Sequence, residues 1–226
     1  MKKLLVALAS VLILGLFLTV ALAKPKEKEP LDSITFIHYR NGKVVAKGGS
    51  CTKLLGVKWK TLPINYVIDP KNYDKNLVIE AISKAVEEWD LHTTKELFDG
   101  YDVSDGEWGV LDYKNVYTFE EYSNDNVIAV TRIWYTRITK EIVDYDVLFN
   151  TYYGWYDCNK TSCTEENRGM DLQSIALHET GHGIGLADVY SSACSYVVMY
   201  GYSSYGEVQR ELTNPDIIGL QRLYGT

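Results

Sequence analysis

The chain has 226 residues, 46% of them apolar, with 23 basic and 30 acidic side chains and a net charge of −7 at pH 7. That suffices for one domain with an ordinary core, or one domain and an arm. An acidic chain with no basic run excludes nucleic acid and anionic membrane surfaces as natural partners.

Lys2 and Lys3 precede an apolar run from Leu4 to Leu22, and Ala21-Leu22-Ala23 sets small residues where a signal peptidase cuts. This layout predicts a secretory signal over residues 1–23, whose removal leaves 203 residues and a net charge of −9. An uncleaved signal anchor is the alternative, because the apolar run nearly matches the bilayer core in length. Residues 24–56 read as a leader, charged and proline-bearing at first. A short β-hairpin follows, its arms Ile34 to Arg40 and Val44 to Lys47 flanking Asn41-Gly42. The hairpin is expected to precede the main domain, residues 57–226.

Trp59 to Asp69 reads as a strand that Pro63 places at an edge or a bulge. Val78, Ile82, Ala85, Val86 and Trp89 form one apolar stripe of a helix over Asn76 to Trp89. Residues 99–126 are rich in Asp, Gly, Asn and Tyr, a long surface connection with short strands inside it. Val127 to Tyr135 is β-branched and aromatic, hence a strand. Val143, Tyr145, Val147 and Phe149 alternate with Asp144, Asp146, Leu148 and Asn150, a strand with one face in the core. Asp171 can cap a helix over Leu172 to His182. Thr213 or Asn214 caps a last helix, with Pro215 in its first turn and Gly225 just past its end. The fold class is α+β. Behind a secretory signal, four cysteines favour two disulfides: Cys158 with Cys163 across a short loop, leaving Cys51 and Cys194 for each other. Asn159-Lys160-Thr161 is an acceptor sequence for N-glycosylation.

His178 and His182 are four apart, so a helix projects both imidazoles from one face, and two such nitrogens can share a zinc ion. Glu179 lies on the neighbouring flank, where a carboxylate can take a proton from metal-activated water as general base. A third ligand is required. No histidine follows His182, Gly185 allows a sharp turn, and Asp188 arrives six residues on, with Cys194 as the runner-up. Glycines at 181, 183 and 185 each weaken a helix, so an ordinary core helix has no use for them.

His178-Glu179-x-x-His182-x-x-Gly185-x-x-Asp188 resembles the extended motif of the metzincin peptidases, and among them the matrixins. Aspartate as the last ligand is similar to the snapalysin-type enzymes. Val198-Met199-Tyr200 looks like the Met-turn, in which a methionine packs beneath the zinc site. Asp146 to Asn150 is similar to the edge strand that holds substrate in an extended form, and the resemblance covers most of residues 57–226. It implies a secreted, monomeric zinc endopeptidase with a metzincin-like catalytic domain, acting on proteins or peptides without stable membrane association. His178, His182 and Asp188 would hold the metal, with Glu179 as base. Only His92 lies between the first helix and the site helix, so the matrixins' second, structural zinc is not expected. Calcium is a further candidate at Asp99, Asp102, Asp105 and Asp112. The matrixin Pro-Arg-Cys-Gly latency switch is missing, which leaves Cys51 as the one thiol placed to imitate it. The rival readings are a non-catalytic, zinc-stabilised extracellular binding protein and a membrane-tethered protease. Tyr190, Tyr196, Tyr200, Tyr202 and Tyr205 are expected to wall the pocket that takes the side chain just after the scissile bond.

Overall fold

A computed structural model describes residues 29–40 and 49–226, so the expected signal sequence and the turn and second arm of the hairpin lie outside the described residues. In chain order the elements are β1 (Leu31–Arg40), β2 (Ile64–Ile68), α1 (Lys75–Asp90), β3 (Phe98–Val103), β4 (Asn115–Glu120), β5 (Val127–Thr136) and β6 (Ile142–Asn150). There follow β7 (Gly154–Tyr156), β8 (Gly169–Asp171), α2 (Leu172–Gly183), β9 (Tyr202–Ser203) and α3 (Asn214–Tyr224). Among the described residues no helix is long and apolar enough to cross a membrane.

Seven strands form one mixed sheet in the order β3-β2-β4-β6-β5-β1-β9, and β7 pairs with β8 alone. β2 runs parallel to both β3 and β4, and β4 parallel to β6. Parallel neighbours require a crossover, which α1 supplies between β2 and β3. β5 is antiparallel to β6 and β1 is antiparallel to β5. The apolar stripe of α1 (Val78, Ala81, Ile82, Ala85, Val86, Trp89) is buried, and Trp89 Nε1 donates to Leu177 O at 3.0 Å, which fastens α1 to α2. The helices and the sheet share one core that includes Ile68, Trp89, Tyr117, Tyr145, Phe149 and Leu177.

Three expectations change. Leu31–Arg40 is no arm ahead of the domain: it is paired into the sheet from Leu31↔Thr136 to Tyr39↔Val127. β6 is not an edge strand, because β4 and β5 flank it on either side. Nor does it expose one face, since Asp144 and Asp146 are fully buried. The loop between β3 and β4 covers that face with backbone donors. Asp112 N and Tyr113 N reach Asp144 Oδ2 at 3.0 and 2.8 Å, and Gly109 N reaches Asp146 Oδ2 at 2.8 Å. Burial then pushes the two carboxyls up, to about 7 for Asp144 and about 8 for Asp146.

Two disulfides, Cys51–Cys194 and Cys158–Cys163, use all four cysteines. The first removes Cys194 as a candidate ligand and Cys51 as a candidate latency thiol.

Candidate active site

α2 starts where the Asp171 carboxylate accepts from Ser174 N at 3.1 Å and Ser174 Oγ at 2.6 Å. From Ser174 to Gly183 every residue is buried. A helix enclosed on all sides needs small residues where neighbours approach. A Cβ on Gly181 would lie 2.3 Å from Met199 Sδ, so the methionine packs directly beneath the helix that carries the histidines.

His178 and His182 face one another, with Nε2 atoms 3.1 Å apart. Their Nδ1 atoms meet backbone carbonyls, Val198 O at 2.8 Å and Leu186 O at 3.0 Å. A carbonyl only accepts, so each Nδ1 carries the proton and each Nε2 turns a lone pair inward. Asp188 Oδ1 lies 3.2 and 3.3 Å from those nitrogens and is buried without a hydrogen-bond donor of its own. Three donor atoms therefore converge with nothing positive among them, an arrangement stable only around a proton or a cation. The local field agrees. Burial lowers the proton affinity of His178, but Asp188 and Glu179 outweigh it and raise the group to about 8. Burial raises Asp188, and the two histidines overcome that and hold it well below the usual carboxylate range. His178, His182 and Asp188 thus form a group able to hold a metal, and the two-histidine, one-carboxylate set is one zinc accepts.

The turn that delivers Asp188 is pinned from several sides. Gly185 has φ +108°, and Leu55 N donates to its carbonyl at 2.9 Å. Ala187 N donates to Lys53 O at 2.8 Å, and Tyr224 OH to Ile184 O at 2.8 Å. Beyond it, Tyr190 OH donates to Asp188 Oδ2 at 2.8 Å. Val189 N donates to Met199 O at 2.9 Å, tying the aspartate to the methionine turn. Asp216 at the start of α3 accepts from Val198 N at 3.0 Å and Met199 N at 3.2 Å, which holds the carbonyl that orients His178.

Glu179 is fully buried on the flank of α2 towards β5. Thr131 Oγ1 of β5 donates to Glu179 Oε2 at 2.6 Å, whereas Oε1 has no hydrogen-bond partner and lies 3.4 Å from His38 Nδ1. Burial alone would raise this carboxyl, but His38, His178 and His182 together lower it. It is a proton acceptor set beside the donor cluster.

The sequence reading missed Thr131, Asp216 and His38, and gave Tyr190 a pocket wall in place of its bond to Asp188. Thr131 and Asp216 act through partners 48 and 17–18 residues away, which nothing local marks, whereas Tyr190 serves Asp188 only two residues before it. His38 was legible only as one of four histidines. The five tyrosines divide: Tyr200 and Tyr202 line a pocket with His178, Val197 and Val198, Tyr190 serves Asp188, Tyr196 is exposed, and Tyr205 packs on Tyr153. Among the described residues, no group able to hold a metal includes Asp99, Asp102, Asp105 or Asp112.

Over residues 58–225 the chain matches the sequence model of the family described as matrixin. It is 38% identical over 63 residues to Matrix metalloproteinase-2 of Drosophila melanogaster, a stretch that is 28% of this chain and 8% of that protein. It is 41% identical over 56 residues to Metalloendoproteinase 2-MMP of Arabidopsis thaliana, 25% of this chain and 14% of the relative. Against Stromelysin-1 of Mus musculus it is 42% identical over 65 residues, 28% and 13% of the two chains. The matches therefore span a small part of each relative's length. The family match, by contrast, takes in the sheet from β2 to β6, all three helices and the whole donor cluster, and the chain belongs to the matrixin family.

Proposed function

We propose that the chain is a secreted zinc-dependent endopeptidase that cleaves internal bonds of extended protein segments. The observation that carries this is the convergence of His178, His182 and Asp188 beside the unpaired Oε1 of Glu179. Zinc held there supplies a Lewis acid that polarises the scissile carbonyl and acidifies water. Glu179 takes the proton of the attacking water and returns it to the leaving amine, with Thr131 fixing the carboxylate through Oε2 so that Oε1 stays available. Hydrogen bonds from the Nδ1 atoms to Val198 and Leu186 hold each imidazole in the tautomer that presents Nε2. Secretion is supported by the signal layout at 1–23 and by two disulfides, which persist in oxidising compartments.

Glu179→Ala keeps the three donors, so the purified protein should retain zinc while hydrolysis of casein or a quenched peptide falls roughly 10²–10⁴-fold. Loss of an outer-shell partner alone costs 10–100-fold in affinity, so Asp188→Ala should weaken zinc by at least about a hundredfold. Peptidase activity of Glu179→Ala within tenfold of an active parent preparation, both with residues 31–40 removed, refutes the general-base role. A protein that holds zinc stoichiometrically yet hydrolyses nothing even with residues 31–40 removed would instead indicate a binding protein.

A further inference from the structure

The site is closed. His178, Glu179 and His182 are each no more than 2% exposed, and Asp188 is 5% exposed. What closes it is β1, which lies outside the matrixin match that begins at residue 58. Without β1, the strand beside the site, β5, would be the sheet's edge, and an extended peptide binds a free edge by adding a strand. β1 does this from within the chain. It runs antiparallel to β5 from Leu31↔Thr136 to Tyr39↔Val127, and parallel to β9 at Tyr39↔Tyr202 and Arg40↔Ser203.

Its ends are fastened. Glu29 Oε1 accepts from Ile138 N at 2.7 Å, Arg137 N donates to Pro30 O at 2.8 Å, and Arg40 N donates to Asn126 O at 2.7 Å. Strand alternation sends Phe36 and His38 to one face, and that face meets α2. The Phe36 ring stacks on His182, centroids 4.1 Å apart and 13° from parallel. The His38 ring meets His178 edge-on at 4.0 Å. His38 is 1% exposed, and its Nε2 is 2.9 Å from Ser203 Oγ. Its Nδ1 has no hydrogen-bond partner and lies 3.4 Å from Glu179 Oε1, which has none either. His38, His178 and Glu179 form a second group able to hold a metal, sharing His178 with the first. The imidazole therefore fills the place between the donor cluster and Glu179 where water would have to stand.

Resting on the endopeptidase reading above, we propose that Leu31–Arg40 is a built-in, substrate-like plug, and that His38 supplies a fourth donor to the bound metal, so the chain with β1 seated is latent. Catalysis needs β1 displaced or removed. No thiol takes part, since all four cysteines are paired.

The test uses the full chain loaded with cobalt(II) or zinc, comparing the parent, His38→Ala, Phe36→Ala/His38→Ala and the exposed control Asp32→Ala. With cobalt, the visible band should shift in both His38 variants and stay unchanged in Asp32→Ala, because a donor is lost. With zinc, quenched-peptide hydrolysis should rise at least about tenfold in His38→Ala and further in the double variant, as the fraction of open molecules grows. Hydrogen exchange of the β5 amides should quicken in step. A synthetic peptide of residues 31–40 should inhibit the double variant, and the same peptide with His38→Ala should not, an arm that needs only one variant to fold. An unchanged cobalt band removes His38 as a donor. Parent activity equal to that of the double variant overturns the plug. If no variant cleaves peptide while the cobalt band shifts and β5 loses protection, the endopeptidase reading fails and the plug stands.

Discussion

Gly185→Ala isolates the turn on which the third donor depends. At φ +108° a side chain is strained, and a Cβ there would lie 2.5 Å from Val57 O, a backbone atom that cannot rotate away. The backbone conformation should cost about 1–3 kcal/mol, and relieving the collision about 1–3 kcal/mol more. Together they give a loss of about 4 kcal/mol, or about 8–16 °C in Tm for a domain of this size. Gly109→Ala is the control, because it has φ +81° and its nearest neighbour is Arg132 Nη1 at 4.0 Å. It should show the strain without the collision. Thermal unfolding by circular dichroism, with both disulfides intact, measures the pair. Zinc affinity should fall in Gly185→Ala alone, because moving this turn moves Asp188 and the Leu186 carbonyl that holds His182. A Gly185→Ala protein within 2 °C of the parent, or no worse than Gly109→Ala, would refute the account of the turn.

Replacing Cys51 and Cys194 by serine frees a loop with a sequence separation of 143, against 5 for Cys158 and Cys163. Chain entropy then predicts losses of about 5 and about 2 kcal/mol, so the first pair should lower Tm more, and the reverse order would contradict it. Arg210 bonds Asp157 and the fully buried Asp171. Arg210→Leu should cost about 3 kcal/mol by leaving Asp171 short of its counter-charge, and a urea midpoint within 1 kcal/mol of the parent would show the pair to be idle. Asp144 and Asp146 have folded-state pKa values raised by burial to about 7 and about 8. Their contribution is fully present below the unfolded carboxyl pKa and is lost as pH rises through 7 and 8. Asp144→Asn keeps an acceptor for Asp112 N and Tyr113 N and puts an amide where Oδ1 has no partner. Its Tm should decline less than the parent's between pH 5 and 8.5, and parallel curves would sink this assignment.

The sequence by itself determined what is local. The stripe on α1, the Asp171 cap of α2 and the Thr213 and Pro215 start of α3 are set by helical periodicity and by end groups a few residues away. The spacing of His178, Glu179 and His182 likewise places two imidazoles on one face of any helix that forms there. Asp188 was legible because a glycine turn and the absence of later histidines left few choices. Pairing is different in kind: a strand's neighbours depend on which distant edge its ladder finds. Asp144 and Asp146 looked solvated until the loop at 106–114 lent them its backbone donors. The glycines were visible and the resemblance put Met199 beneath the site, but its contact with Gly181 and the closeness of Val57 O to Gly185 were not legible. His38 stands 140 residues before His178, in a segment that looked like a separate arm. Only the β1–β5 ladder, formed between segments about a hundred residues apart, brings its imidazole to Glu179 and closes the site.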